Sequence, residues 1–154
     1  MLEISRRHRR VLLATTSSDA HTWNLVFLQL LLEENGFEVI NLGSCVPDEL
    51  LIDCARRERP DTIVISTVNG HASSDGVRMV QAIRNQPDIA HLPMVIGGKL
   101  GTSPASSHDS AHALANAGFD VVFTEDADPE ILAERLNGLP PAHSRPALSA
   151  AGNQ

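Results

Sequence analysis

Five short apolar runs alternate along the chain with longer segments in which apolar residues recur at helical spacing. The runs are Val11 to Thr15, Phe37 to Leu42, Thr62 to Thr67, Leu92 to Ile96 and Phe119 to Phe123. Each is rich in β-branched residues and almost continuously apolar, which is the pattern of a strand covered on both faces. The segments between them predict helices at about Asn24 to Asn35, Pro47 to Glu58, Ser74 to Gln86, His108 to Ala117 and Asp128 to Asn137. Asn35-Gly36 is a usual helix stop, and Pro47 and Pro129 stand where proline suits a first turn.

This alternation implies an α/β fold with a single doubly wound, five-stranded parallel sheet joined by right-handed crossovers. A ligand in such a sheet sits beyond the carboxyl ends of the strands, at the switch point of strand order. In the flavodoxin-like order, one of two common for five strands, the first and third strands meet at that crevice. The loops after strands one, three and four are therefore the ones to search. The expected boundaries are a basic arm over 1–9, the domain over 10–137, and a disordered tail over 138–154, rich in Pro, Ala and Ser.

Composition narrows the functions this fold can serve. The 154 residues fit one domain, and 12 Lys+Arg against 19 Asp+Glu leave a net charge of −7, which argues against a nucleic-acid partner. The one dense cationic run, Arg6, Arg7, Arg9 and Arg10, reads as a solvated arm. No apolar stretch nears the roughly 20 residues that cross a bilayer, and the start lacks a signal-peptide core. The expectation is a cytoplasmic protein with no membrane partner. Cys45 and Cys54 have neither C-x-x-C nor metal-ligand spacing, so reduced, structural thiols are expected.

Four Phe, one Trp and no Tyr argue against a flavin site. A phosphoryl receiver needs an Asp ending the third strand and a Lys ending the fifth, where this chain has Ser66-Thr67 and Thr124-Glu125; its sole lysine is Lys99. No G-x-G-x-x-G, Walker loop or G-x-S-x-G elbow occurs.

The first loop runs Ser18-Asp19-Ala20-His21-Thr22-Trp23-Asn24 and places an aspartate two residues before a histidine. A carboxylate on one imidazole nitrogen fixes the tautomer and raises the basicity of the other, which then ligates a metal. The plainer alternative is a solvated turn in which Asp19 or Asn24 caps the next helix. The third loop, Ser66-Thr67-Val68-Asn69-Gly70-His71, and the fourth, Gly97-Gly98-Lys99-Leu100-Gly101, offer hydroxyls and small residues that let a ligand approach the backbone. Both also suit tight strand-to-helix turns. His71, His91, His108, His112 and His143 do not read as a metal site: His108 and His112 share a helix face, with no third ligand nearby. Asp75 and Asp109 read as first-turn helix charges.

Asp19-x-His21, Ser66-x-Val68 and Gly97-Gly98, in this order across a five-unit α/β chain, resemble the cobalamin-binding domains whose pattern is D-x-H-x-x-G, S-x-L and G-G. The likeness is closest to the small cobalamin-binding subunits of glutamate mutase. It is supported by Asn35 to Gly43 and by Ala117-Gly118-Phe119-Asp120, and it covers roughly residues 10 to 137. The resemblance implies a Rossmann-like cobalamin-binding fold and a carrier of adenosylcobalamin. It makes His21 the lower axial ligand of cobalt in place of dimethylbenzimidazole, with Asp19 behind it. The displaced nucleotide tail would lie between sheet and helices, lined by Ser66, Val68, Gly97 and Gly98. Ser18, Ala20, Thr22, Thr67, Gly70, Lys99, Leu100 and Gly101 complete the cofactor-binding set.

The resemblance further implies an isomerase subunit, inactive alone, that converts L-glutamate to 3-methylaspartate with a large TIM-barrel subunit holding the substrate. The alternatives are the small subunit of an acyl-CoA mutase and a non-catalytic cobalamin carrier or chaperone. Two positions depart from the pattern: Asn24 stands for the usual Gly and Val68 for the usual Leu. Asn24 has a side chain where the family leaves room, so Asn24→Gly is expected to tighten cobalamin binding. Trp23 is placed to pack on the corrin edge, face a partner or fill the core.

Overall fold

The computed structural model describes residues 9–139. Residues 1–8 of the expected arm, with Arg6 and Arg7, and residues 140–154 of the expected tail, with His143, lie outside the described residues. Parallel pairing joins β1 (Arg10–Ala14), β2 (Glu38–Asn41), β3 (Thr62–Thr67), β4 (Met94–Gly98) and β5 (Val121–Phe123) into one sheet of order β2-β1-β3-β4-β5. This is the expected doubly wound α/β fold. The helices α1 (Trp23–Glu34), α2 (Asp48–Glu58), α3 (Ala72–Arg84), α4 (Pro104–Ala117) and α5 (Glu130–Gly138) alternate with the strands.

Alternating side chains divide the core into two layers. Val11, Leu13, Val64, Val95 and Val121 pack against α1 and α5 through Leu25, Leu32, Leu132 and Leu136. Leu12, Ala14, Ile63, Ile65 and Ile96 pack on the other face with Leu51, Met79, Val80, Ile83 and Leu114 of α2, α3 and α4. All six residues of β3 are buried, and all but Ser66 are β-branched, which suits a strand covered on both faces.

Most boundaries lie within two residues of the expected ones, and those of β4, α4 and α5 differ in ways that bear on the site. Strand β4 begins at Met94 rather than Leu92, and it includes Gly97 and Gly98, which pair with Ser66 and Thr67 of β3. Pro93 has no N–H to donate to a ladder, so it precedes the strand and only its carbonyl accepts, from Ile63. Helix α4 starts at Pro104, four residues before His108, because Ser103 and Ser106 form a capping box and proline suits the first turn. Asp109 therefore lies beyond the first turn rather than in it. Helix α5 ends at Gly138, inside the expected tail.

Two of the four arginines read as a solvated arm, Arg9 and Arg10, are instead held by the fold. Arg9 donates to the carbonyls of Leu136 and Leu139 at the end of α5, and Arg10 opens β1 with its guanidinium on the Glu58 carbonyl and near Glu38. These two arginines tie chain ends to the sheet. Of the two free thiols, Cys54 is buried as expected, whereas Cys45 is exposed. No helix among the described residues is long and apolar enough to cross a membrane.

Candidate functional site

The carboxyl end of β1 delivers the chain into a loop that α3 holds in place. Arg78 of α3 donates to Ser17 Oγ at 2.7 Å while it pairs with Asp75 at 3.0 Å and with Asp48 of α2 at 2.9 Å. Ser18 donates to Asp75 and accepts from Asn69 Nδ2 at 3.1 Å. Asp75 is thus a first-turn charge, as expected, and a tether for the loop as well.

Asp19 sits at the centre of this loop with 0% of its side chain exposed. Its Oδ1 accepts from the His21 backbone N–H at 3.0 Å and from His21 Nδ1 at 2.7 Å. Its Oδ2 accepts from Thr67 Oγ1 at 2.7 Å and from the Val68 backbone N–H at 2.8 Å. Burial by itself would push the carboxyl up, but these four hydrogen bonds favour the charged form more and hold its pKa at about 2. Asp19 is therefore a fixed carboxylate and not a helix cap; Thr22 occupies the N-cap of α1, without a side-chain capping bond.

The same geometry orients His21. With Nδ1–H donating to Asp19, the lone pair of the ring lies on Nε2, on a side chain that is 61% exposed. Among the described residues no three His, Cys, Asp or Glu side chains gather in a way that could hold a metal ion. One oriented, outward-facing imidazole suits a metal whose other ligands travel with it, as in a macrocycle. His108 and His112 do meet, Nε2 to Nε2 at 3.3 Å, again with no third ligand.

Linked to the Asp19–His21 pair through Val68, a cavity of about 170 Å³ opens between α1, α5 and the carboxyl ends of β3, β4 and β5. Ser66, Val68, Gly97 and Gly98, all expected to bind cofactor, line it. Its glycines are needed for room: a Cβ on Gly98 would lie 2.0 Å from the Thr67 carbonyl oxygen at a φ of +118°, and one on Gly97 would lie 3.1 Å from Phe123 Cβ. A larger hollow of about 280 Å³ lies at the opposite end of the sheet, by Arg56, Pro60 and Leu92. The strand-end cavity is the better candidate because oriented polar groups converge on it.

The remaining expected site residues are spread around the loops. Ala20, Thr22 and Lys99 are exposed, and the Lys99 N–H closes the fourth loop on the Thr67 carbonyl at 2.9 Å. Gly70 donates to the Lys99 carbonyl, and Gly101 lies tightly beneath the start of α4. Leu100 is fully buried in the core layer of α2, α3 and α4, so it is packing for the opposite face and not part of the cavity wall. Thr67 acts through Asp19 and does not line the cavity.

Sequence reasoning missed the far wall, made of Phe123 and the segment from Thr124 to Pro129 after β5, with Leu132 behind it. The signal was available, since β5 also ends at the carboxyl edge. It also misjudged Asn24, which is the second residue of α1 and not its cap; its Nδ2 donates to Ser66 Oγ at 2.8 Å. Trp23 is 83% exposed and is no core residue; with Val26, Phe27 and Leu30 it makes an exposed apolar stripe on α1.

A flavodoxin-like α/β domain that presents one carboxylate-held histidine beside a narrow cavity at its switch point defines the class. The B12 binding domain family matches residues 9–133, and the chain belongs to that family. It is similar to glutamate mutase sigma subunit 2 of Haloarcula marismortui, 33% identical over 130 residues that cover 83% of this chain and 85% of the relative. Among solved structures it resembles a novel cobalamin-binding protein from Desulfitobacterium hafniense, with a TM-score of 0.67, 24% identity, and coverage of 88% of this chain and 62% of that longer one. A response regulator from Chloroflexus aurantiacus shares the fold at a TM-score of 0.65 and 18% identity, over 90% of this chain and 100% of that one. Since receivers share the fold, the site residues carry the distinction.

Proposed function

We propose that this chain is the cobalamin-carrying subunit of an adenosylcobalamin-dependent carbon-skeleton mutase, an isomerase that works with a large TIM-barrel subunit on L-glutamate and 3-methylaspartate. The observation that carries the reading is the Asp19–His21 pair, a buried carboxylate 2.7 Å from Nδ1 of a histidine whose Nε2 faces outward. Kinship with a sigma subunit of glutamate mutase supports the choice of reaction.

In this reading His21 Nε2 would ligate the cobalt, and Asp19 would keep the ring in the tautomer that leaves Nε2 free to do so. Ser66, Val68, Gly97 and Gly98 would hold the nucleotide tail in the cavity they line. The cofactor supplies, when bound, a weak cobalt–carbon bond whose homolysis begins hydrogen abstraction from substrate. The chain's own part is to bind, orient and shield. Substrate recognition belongs to the partner subunit.

The test is a titration of the chain with cobalamin, followed by visible and EPR spectroscopy. Base-off binding with nitrogen coupling from a protein histidine is expected, and His21→Ala should abolish that coupling. Unchanged spectra in the variant would overturn the assignment.

A further inference from the structure

Helix α4 carries two exposed histidines one turn apart, His108 and His112, and neither belongs to the site described above. Their Nε2 atoms lie 3.3 Å apart while the ring centroids are 4.7 Å apart. The nitrogens are closer than the rings that bear them, so the two imidazoles converge at their Nε2 corners. Between neutral rings such a contact is a hydrogen bond, with one nitrogen donating and the other accepting.

The separation is also the bite of one small metal ion. Zinc binds imidazole nitrogen at about 2.0–2.1 Å in tetrahedral geometry, which sets two nitrogens on the same ion about 3.3–3.4 Å apart. The helix holds both rings on one face, so once the first nitrogen is bound the second is already at hand. His108 also lines a hollow of about 330 Å³ between the start of α4 and the loop after β5, where Glu125 and Asp126 stand. These carboxylates favour a cation in the hollow. Among the described residues no third His, Cys, Asp or Glu closes a cage around the pair. The chelate therefore keeps open positions for water, unlike a structural zinc site. Nitrogen ligands favour zinc, nickel and copper over magnesium and calcium, which take oxygen.

We infer that His108 and His112 form an open, two-point surface site for a divalent transition-metal ion of the zinc type. The ion takes the place of the proton between the two Nε2 atoms, and the ring that donated it carries its proton on Nδ1 instead. The site is separate from His21 and independent of the cobalamin reading.

The experiment is a calorimetric titration of the full chain with zinc chloride, and with magnesium chloride for comparison. It is run on the wild type, on His108→Gln and His112→Gln singly and together, and on His21→Ala and Cys45→Ser, which remove exposed donors elsewhere. Glutamine is a good helix former and both α4 positions are exposed, so folding should persist, and circular dichroism verifies it. Either single change on α4 is expected to weaken the tightest zinc site at least about tenfold, whereas His21→Ala and Cys45→Ser keep it. Long-range proton–nitrogen spectra should show zinc-dependent shifts at Nε2 of both rings with Nδ1 protonated, and magnesium should leave them unmoved. Zinc affinity unchanged in the double variant, affinity lost in His21→Ala or Cys45→Ser, or Nε2 signals that zinc does not move would each overturn the site.

Discussion

Asp19 and Val68 are 49 residues apart in sequence, yet the Oδ2 of the first accepts the backbone N–H of the second at 2.8 Å. This bond, with the one from Thr67, joins the loop that bears His21 to the end of β3, which leads into the cavity. A histidine placed by a loop alone would be poorly oriented; here the carboxylate behind it is anchored to the central strand.

Removing one anchor should be felt in stability and in orientation. Thr67→Val keeps the shape but deletes the Oγ1–H donor to Asp19 at a fully buried position. A loss of about 1–2 kcal/mol is expected in urea unfolding, with a weaker cobalt–histidine signature. Unchanged unfolding would mean that the Val68 N–H suffices.

The depressed pKa of Asp19 sets a window of acid sensitivity. Its ordinary value is 3.8 and its folded value about 2, so its contribution is fully present above about pH 4 and disappears as the pH falls through 2. The shift corresponds to about 2 kcal/mol. Denaturant midpoints measured between pH 2 and pH 6 should fall steeply below about pH 4 in the wild type. Asp19→Asn should be less stable near neutrality and flatter through that window.

The two glycines at the end of β4 should tolerate change very differently. Gly98→Ala puts a methyl within 2.0 Å of a backbone oxygen at a φ of +118°, so a loss of more than about 3 kcal/mol, or failure to fold, is expected. Gly97→Ala meets a side-chain carbon at 3.1 Å, which gives way by a small shift, and about 1 kcal/mol is expected. Thermal denaturation of both variants tests the order.

Trp23 is the only tryptophan and is 83% exposed, which makes it a reporter beside His21. Its emission should be that of a water-exposed indole, and Trp23→Ala should change stability by less than about 0.5 kcal/mol. Cobalamin held at His21 should quench it. Undiminished emission at saturation would move the corrin away from this loop.

The isolated chain should show no mutase turnover even when loaded with adenosylcobalamin. Measurable activity without a second protein would refute the division of labour in the proposed function.

Much of the fold follows from local patterning. The β-branched run of β3 and the alternation of strands with helices specify a covered parallel sheet, because a strand buried on both faces is filled mostly by side chains that pack without water; its buried polar residues, Thr62, Ser66 and Thr67, stand at its ends. Local chemistry likewise marks the ends of α1 and α2, at Asn35-Gly36 and Pro47. The start of α4 was missed because a capping box of two serines lies in a stretch that looks like loop. Gly97 and Gly98 looked like turn residues for a similar reason. Nothing in a glycine pair discloses that it will pair with Ser66 and Thr67 across the sheet.

The site divides along the same line. By itself the sequence determined the sheet, the loops that end at its carboxyl edge, and that Asp19, His21, Ser66 and Gly98 stand on them. Only the tertiary structure decided that Asp19 is a carboxylate bonded to β3 rather than a helix cap, that Leu100 faces the opposite core, and that Asn24 reaches Ser66. Strand and helix patterns depend on neighbours a few residues away, whereas these roles depend on groups 42 to 49 residues apart meeting within 3 Å. That meeting is set by the register of parallel strands and by the packing of α1 on the sheet.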